Sequence, residues 1–430
     1  SGEVFFADGS RCEITTDETW QVRKIGAYTA PYCYDGRIQS DDYRPAEQTE
    51  NIWHTATAPI PLRTEQEIFP MDNPVIRLAP LEEKRVILEF DKIHGGFVHI
   101  TAKGEGVVFA DIFCRETTEE GSHESVVLAG NEEYRGFALH SVGKYDVTLR
   151  NESAKALEIT LGLIATYYPI EKTAVTVTSD EELNKVLQVC RHTLKYCRQT
   201  HHLDSPRHCE PLACTGDYYI ETLMTAFSFG DMRLAGFDVI RTGELLKKND
   251  GRMFHTTYSL IWVLMLYDVY LFTGHKALLE ECREALDLLL NRFRTYMGEN
   301  GLIETPPDYM FVDWIYIDGF SMHHPPKCLG QTCLNMFWFG ALGTAARLYE
   351  ILGDKEACAL CKKEQKCLGN AINTLLYDRE KGLYFEGLNT PTPEHLLYRY
   401  MPQNGEKRYY LKHSNILAAY FGVCENAADI

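Results

Sequence analysis

Long apolar runs are missing from this 430-residue chain. None reaches the roughly 20 residues that a membrane span needs, so no spanning segment is expected. Positive charge is also short: 43 Lys and Arg stand against 61 Asp and Glu, for a net charge of -18. That balance repels nucleic-acid phosphates and anionic membranes, which leaves a neutral or cationic small molecule as the expected partner. Metal-ligand spacing is lacking as well. The 14 cysteines are scattered through helical and strand patterns, and Cys358-Ala-Leu-Cys361 spells CxxC inside a helical pattern with no second pair at zinc-finger distance. His201-His202, His255 and His323-His324 have no carboxylate at a spacing that fixes zinc. They read as satisfied polar histidines, and no metal is expected. Ser1-Gly2 is not followed by a basic-then-apolar leader, so any leader is absent or already removed. Unpaired thiols favour a reducing cytoplasm, with the periplasm or secretion as the alternative where a leader has been cleaved. Oligomeric state is not legible.

What is present is an ordinary globular composition, 45% hydrophobic and 24% charged, in a chain too long for a single hydrophobic core. Two periods divide it. From Val86 to Ile170 the period is two: Val86, Leu88 and Phe90, then Tyr145, Val147 and Leu149, then Leu157, Ile159, Leu161 and Leu163 alternate with smaller or polar residues, as in strands with one buried face. Gly95-Gly96, Gly104 to Gly106 and Asn151 to Ser153 read as the turns of an antiparallel β-sandwich over 61–172. Residues 1–60 read more weakly, as a partial, β-rich, jelly-roll-like segment.

Beyond Tyr167-Tyr-Pro-Ile170 the period becomes 3.6. Ser179-Asp-Glu-Glu182 reads as a capping box with Ser179 as N-cap, opening a helix to about Cys197. Further helices are predicted at about 217–229, 231–247, 257–272, 276–297, 329–352, 355–377 and 412–421. The helix containing Leu260 to Tyr270 has no polar face except Asp268 and should be buried all round, whereas the next one carries a single apolar stripe from Leu278 to Phe293. Apolar inner helices alternating with amphipathic outer ones are what an α/α toroid over 173–430 requires. The eight or nine helices predicted fall short of the twelve in a six-hairpin ring.

Candidate chemistry lies in two irregular segments. Asp204-Ser-Pro-Arg-His-Cys-Glu210-Pro-Leu-Ala-Cys-Thr-Gly-Asp217 packs three carboxylates around two prolines, which fix the backbone and keep Asp204 and Glu210 on a loop. A rigid loop bringing acids to the mouth of a helix near Thr215 suits a general acid and clamps for a hydroxyl-rich substrate; its plainer alternative is a turn whose acids cap the helix. Glu304-Thr-Pro-Pro-Asp308-Tyr-Met-Phe-Val-Asp313-Trp314 is the second such segment. Sugar rings are held by hydrogen bonds to hydroxyls and by stacking on aromatic faces, so acids beside Trp314, Tyr258 and Tyr309 make chemical sense.

With Arg85 to Glu116 and Leu411-Lys-His-Ser-Asn-Ile-Leu-Ala-Ala-Tyr-Phe-Gly422, these segments resemble the α-L-rhamnosidases of glycoside hydrolase family 78 over most of residues 20–430. The resemblance implies β-sandwich domains leading into an (α/α)6 barrel, and release of terminal α-L-rhamnose with inversion and without a cofactor. It makes Glu210 the general acid and Asp204 and Asp217 holders of ring hydroxyls. It also places Tyr258, Asp313 and Trp314 in the sugar pocket. His208 stands where the family commonly has Arg and Cys214 where it has Trp, with Arg207 available to supply the cation. The family's general base, a Glu late in the barrel, is expected beyond Ile430. Other α/α-toroid enzymes (an exo-glycosidase, a phosphorylase or a lyase) and a non-catalytic sugar-binding relative share the helix pattern and remain open.

Overall fold

The computed structural model describes residues 2–6, 8, 10–14, 19–22, 27–30, 32–38, 44–45, 60–72, 75–117, 119–209, 214–303, 312, 315–317, 320–322, 331–387 and 408–424. The chain divides into two compact units, one of Ser1–Pro169 with Ser205–Cys209, the other of Ile170–Asp204 with Glu210–Ile430.

The first unit is built on a mixed ten-stranded sheet. Two small pairs accompany it: β1 (Gly2–Phe5) with β2 (Arg11–Ile14), and β3 (Gln21–Val22) with β6 (Arg44–Pro45). The sheet takes β4 (Tyr28–Ala30), β5 (Cys33–Asp35), β7 (Thr64–Ile68), β8 (Val75–Leu78), β9 (Glu83–Lys103), β10 (Val107–Arg115), β11 (Gly121–Ala129), β12 (Glu132–Arg135), β13 (His140–Asn151) and β14 (Leu157–Tyr167). The predicted alternation is realised: Val147, Leu149, Ile159, Leu161 and Leu163 are fully buried, as are Val108, Ala110 and Ile112 of β10. Pairing is antiparallel except between β5 and β11, which run parallel. A strand arriving from a remote segment is not bound by a hairpin turn and can cover an exposed edge in either sense.

The Gly95-Gly96 turn is corrected. Both glycines lie inside the 21-residue β9, facing Ser141 and His140 of β13. Between the pairs Glu89–Lys144 and His94–Val142, four β9 residues stand opposite the single Gly143. Past this irregularity β9 pairs with β14 on one side and β12 on the other. A Cβ on Gly96 would sit 2.4 Å from the Ile164 carbonyl oxygen, so the glycine serves close backbone approach, the other use of glycine in a strand. Leu88 and Phe90 before the irregularity and Val98 and Ile100 after it share one core.

The second unit is helical, with α1 (Glu181–Cys197), α2 (Thr215–Ser228), α3 (Arg233–Lys248), α4 (Thr256–Thr273), α5 (Lys276–Arg294), α6 (Gln331–Leu352), α7 (Lys355–Leu375) and α8 (Lys412–Phe421). Two short hairpins accompany them, β15 (Ile315–Ile317) with β16 (Phe320–Met322) and β17 (Tyr377–Asp378) with β18 (Leu383–Tyr384). The cap of α1 is corrected by one residue: Asp180, not Ser179, accepts from the amides of Glu182 at 2.9 Å and Leu183 at 3.1 Å. A cap oxygen must reach the second and third amides of the helix, and with the first turn starting at Glu181 only Asp180 does. Helix α4 has the length and apolar content of a membrane span, and 56% of it is buried. It is buried without interruption from Ser259 to Leu266, but Tyr267, Asp268 and Tyr270 are half-buried, so the all-round burial expected for Leu260 to Tyr270 holds only for its first two turns, while α5 buries only its stripe from Leu278 to Phe293. Helices α2, α4, α6 and α8 touch in that order, and α3 touches α5. Cys358 and Cys361, one turn apart on α7, are buried in the helical core.

Candidate active site

The site is built where α1 ends and α2 begins. After Cys197 the chain makes a tight loop in which Arg198 bridges to His202 and the Leu203 amide donates to the Cys197 carbonyl at 2.8 Å. His202 fixes this loop to two helices. Its Nδ1 lies 2.7 Å from Asp238 Oδ2 on α3 and its Nε2 lies 3.0 Å from Thr225 Oγ1 on α2. Both side chains of the His202–Asp238 pair are fully buried, so the pair is a costly arrangement to break. Asp204 follows directly and is half-buried.

Ser205–Cys209 belongs to the sheet unit. Arg207 is exposed, and its guanidinium donates to Glu120 at 2.6 Å. His208 is exposed too, with its amide donating to Ser205 Oγ at 3.0 Å. Cys209 has a φ of 51°, a left-handed conformation that costs a non-glycine residue of order 1–3 kcal/mol. Glu210 comes next and lies outside the described residues, as do Asp313 and Trp314.

On resuming, α2 presents Asp217 in its first turn, where the helix dipole favours a negative charge. Its start is docked on the start of α4. The Thr215 hydroxyl donates to the Tyr258 carbonyl, and a Cβ on Gly216 would fall 2.5 Å from the Tyr258 ring. The Tyr258 hydroxyl donates to Asp217 Oδ2 at 3.4 Å, and the His255 ring packs edge-on to Tyr258 at 4.9 Å. Of the residues expected in a sugar pocket, the structure thus brings Asp217 and Tyr258 together and sets Asp204 on a loop pinned to the same helix.

Sequence reasoning missed three groups. His202–Asp238 is one; its signal was an aspartate in the apolar stripe Leu234, Ala235, Val239 of α3. Glu221 is the second, 6% exposed and pushed well above the ordinary carboxylate range by burial, then by Asp238, Asp217 and Asp204. Glu386 is the third, 2% exposed and likewise raised by burial. Its oxygens lie 3.8 and 3.9 Å from Cys333 Sγ. Thr332, at the start of α6, holds its neighbours by donating to the Phe385 carbonyl at 2.7 Å and accepting from the Gly387 amide at 2.8 Å.

Among the described residues, acids of the helical unit thus gather where the start of α2 docks on the start of α4. The chain belongs to the bacterial α-L-rhamnosidase six-hairpin glycosidase domain family, whose model matches residues 171–429. Among solved structures it is similar to the family 78 rhamnosidase of Bacillus sp. GL1, with 17% identity and a TM-score of 0.69 over 83% of this chain and 37% of that one. It is also similar to the rhamnosidase of Klebsiella oxytoca with rhamnose bound, with 16% identity and a TM-score of 0.63 over 85% and 77%. The α-L-rhamnosidase of Aspergillus terreus gives 14% identity and a TM-score of 0.67 over 99% and 51%. At these identities the likeness is one of fold. The chain spans about a third to a half of the length of the Bacillus and Aspergillus proteins. No curated protein matches it.

Proposed function

We propose that this chain carries the acid side of an inverting α-L-rhamnosidase, with Glu210 as general acid and a terminal α-L-rhamnoside as substrate. In this reading residues 173–430 are the hairpins of an (α/α)6 toroid, 61–172 a β-sandwich and 1–60 a partial jelly roll. The observation that carries it is the docking of Asp217 and Tyr258 at the joined mouths of α2 and α4, within the segment matched to the rhamnosidase family.

The chemistry follows from the charges. Glu210 gives its proton to the glycosidic oxygen as the bond from that oxygen to the anomeric carbon breaks. A water, deprotonated by a second carboxylate roughly 6.5–9.5 Å from the first, forms the new bond from the opposite face. An acid that must hold its proton near neutrality is helped by neighbouring carboxylates, and Asp204 and Asp217 already add to the upward push on Glu221. Asp204 and Asp217 are assigned to ring hydroxyls, and Arg207, His208, Tyr258, Asp313 and Trp314 are the further residues assigned to substrate binding. No cofactor enters the reaction. None of the thirteen cysteines among the described residues is in a disulfide, which supports a cytoplasmic setting.

The test is Glu210→Gln in the full-length protein. Hydrolysis of an aryl α-L-rhamnoside should be abolished with an unchanged circular dichroism spectrum; near-normal turnover would remove Glu210 from the acid role.

A further inference from the structure

A second cluster of reactive side chains belongs to the sheet unit alone. Ser122 and Glu124 stand two residues apart on β11, so their side chains share a face, and His140 opens β13. The Glu124 side chain is fully buried and that of His140 is 3% exposed, whereas Ser122 is exposed. The Glu124 carboxylate accepts from the Tyr134 hydroxyl and from His140 Nε2 at 2.9 Å. A neutral imidazole that donates from Nε2 keeps Nδ1 as its acceptor, and Nδ1 lies 2.7 Å from Ser122 Oγ. A serine hydroxyl held by a base that a third group orients is the signature of an activated nucleophile. Satisfying the buried Glu124 takes only Tyr134 and His140, yet the line continues to the surface. Tyr32 is a second observation at the same place. Its φ of 63° is a strained conformation of the kind that collects at functional sites, and its exposed ring lies edge-on to His140 at 6.5 Å. The Ser125 amide donates to the Tyr32 carbonyl at 2.9 Å, and amides two residues apart on a strand point to the same side. The amide of His123, the residue after Ser122, therefore points to that edge, ahead of the first β5 pair at Ser125. An amide following the nucleophile can hold a developing oxyanion.

We infer that Ser122, His140 and Glu124 form a second hydrolytic site, one that cleaves a small uncharged carboxylic ester, with Tyr32 as one wall. Ser122 Oγ attacks the ester carbonyl carbon as its proton passes to His140 Nδ1. The bond from that carbon to the leaving oxygen then breaks, and His140 returns the proton to this oxygen, which releases the alcohol. Water repeats the sequence on the acyl-serine with His140 as base, freeing the carboxylic acid and Ser122. Glu124 does not touch the ester; it is a positioning residue that keeps Nδ1 turned to Ser122. An anionic ester is disfavoured by the net charge of -18. The reaction is independent of the rhamnoside chemistry.

The test uses the full-length protein, with p-nitrophenyl acetate as substrate and a fluorophosphonate as the serine probe. Wild type should release p-nitrophenol, and peptide mapping after labelling should place the phosphonyl group on Ser122. Ser122→Ala is a surface change that leaves the buried pair in place, so it should melt as the wild type does while kcat/KM for p-nitrophenyl acetate falls at least about a hundredfold. Glu124→Gln should lower kcat at least about tenfold with KM unchanged and slow the labelling of Ser122 by the same factor, a change that a purely structural carboxylate would not produce. If Glu124→Gln fails to fold, Ser122→Ala and the labelling of wild type still decide. An unlabelled Ser122 in the wild type, or equal turnover of p-nitrophenyl acetate by Ser122→Ala, would overturn the inference. Unchanged labelling in a folded Glu124→Gln would remove Glu124 from the positioning role.

Discussion

Gly216→Ala should harm the site more than the fold. The added Cβ would lie 2.5 Å from Tyr258 Cε1, 2.5 Å from Cζ and 2.9 Å from the hydroxyl oxygen, whereas carbon atoms in contact sit about 3.5–4.0 Å apart. The ring or the start of α2 must therefore yield by about 1 Å. Tyr258 cannot swing away freely, because Thr215 holds its carbonyl and His255 packs against its ring. Overpacking of this kind costs about 1–3 kcal/mol, while alanine recovers about 1 kcal/mol of helix propensity over glycine. The net loss of about 0–2 kcal/mol shifts Tm by several degrees at most. Activity is more sensitive, since a displacement of about 1 Å in a positioning group can cost about a hundredfold, and the contact between the Tyr258 hydroxyl and Asp217 is the one disturbed. Melting curves and kcat/KM for an aryl rhamnoside would be measured for Gly216→Ala, Tyr258→Ala and the double variant. The clash needs both side chains, so the double variant should melt above the sum of the two single losses. Additive losses, or full activity in Gly216→Ala, would refute the docking argument.

Other perturbations have defined outcomes. Asp238→Ala leaves His202 buried without its carboxylate and should cost about 3–5 kcal/mol in urea unfolding of the helical unit; a loss below 1 kcal/mol would show that the pair does not pin the loop. Glu386 keeps a proton in the folded state that the unfolded chain has released above its ordinary pKa. Its contribution is therefore complete below that value and falls by about 1.4 kcal/mol per pH unit above it, up to the folded pKa. Glu386→Gln should remove this slope from stability measured between pH 5 and 8, and an identical slope in both proteins would contradict a protonated Glu386. Gly96→Ala places a Cβ against the Ile164 carbonyl, a backbone atom that cannot rotate aside. Denaturant unfolding of the sheet unit should show a loss of at least about 1–3 kcal/mol, and wild-type stability would deny the close approach.

Much of the architecture was legible because period and burial coincide. The apolar continuity of Leu260 to Leu266 and the single stripe of α5 each announced how those helices are buried, and the alternation in β13 and β14 announced their inner faces. Signals with two physical meanings misled. A glycine pair marks a turn or a close approach, and Gly95-Gly96 is the second; two adjacent capping residues at 179 and 180 cannot be told apart until the first turn is placed. Tertiary partners were invisible. Nothing local marks His202 as the partner of Asp238, 36 residues away, nor Arg207 as bound to Glu120, 87 residues away. Glu221 looked like an ordinary helix acid, since its burial depends on three other segments meeting it.

The most direct measurement follows the sugar released by the full-length protein from an aryl α-L-rhamnoside by proton NMR in the first minutes of reaction. An acid and a base acting across a trapped water predict that β-L-rhamnose forms first and mutarotates later. Initial appearance of the α anomer, or no hydrolysis at all, would contradict the account.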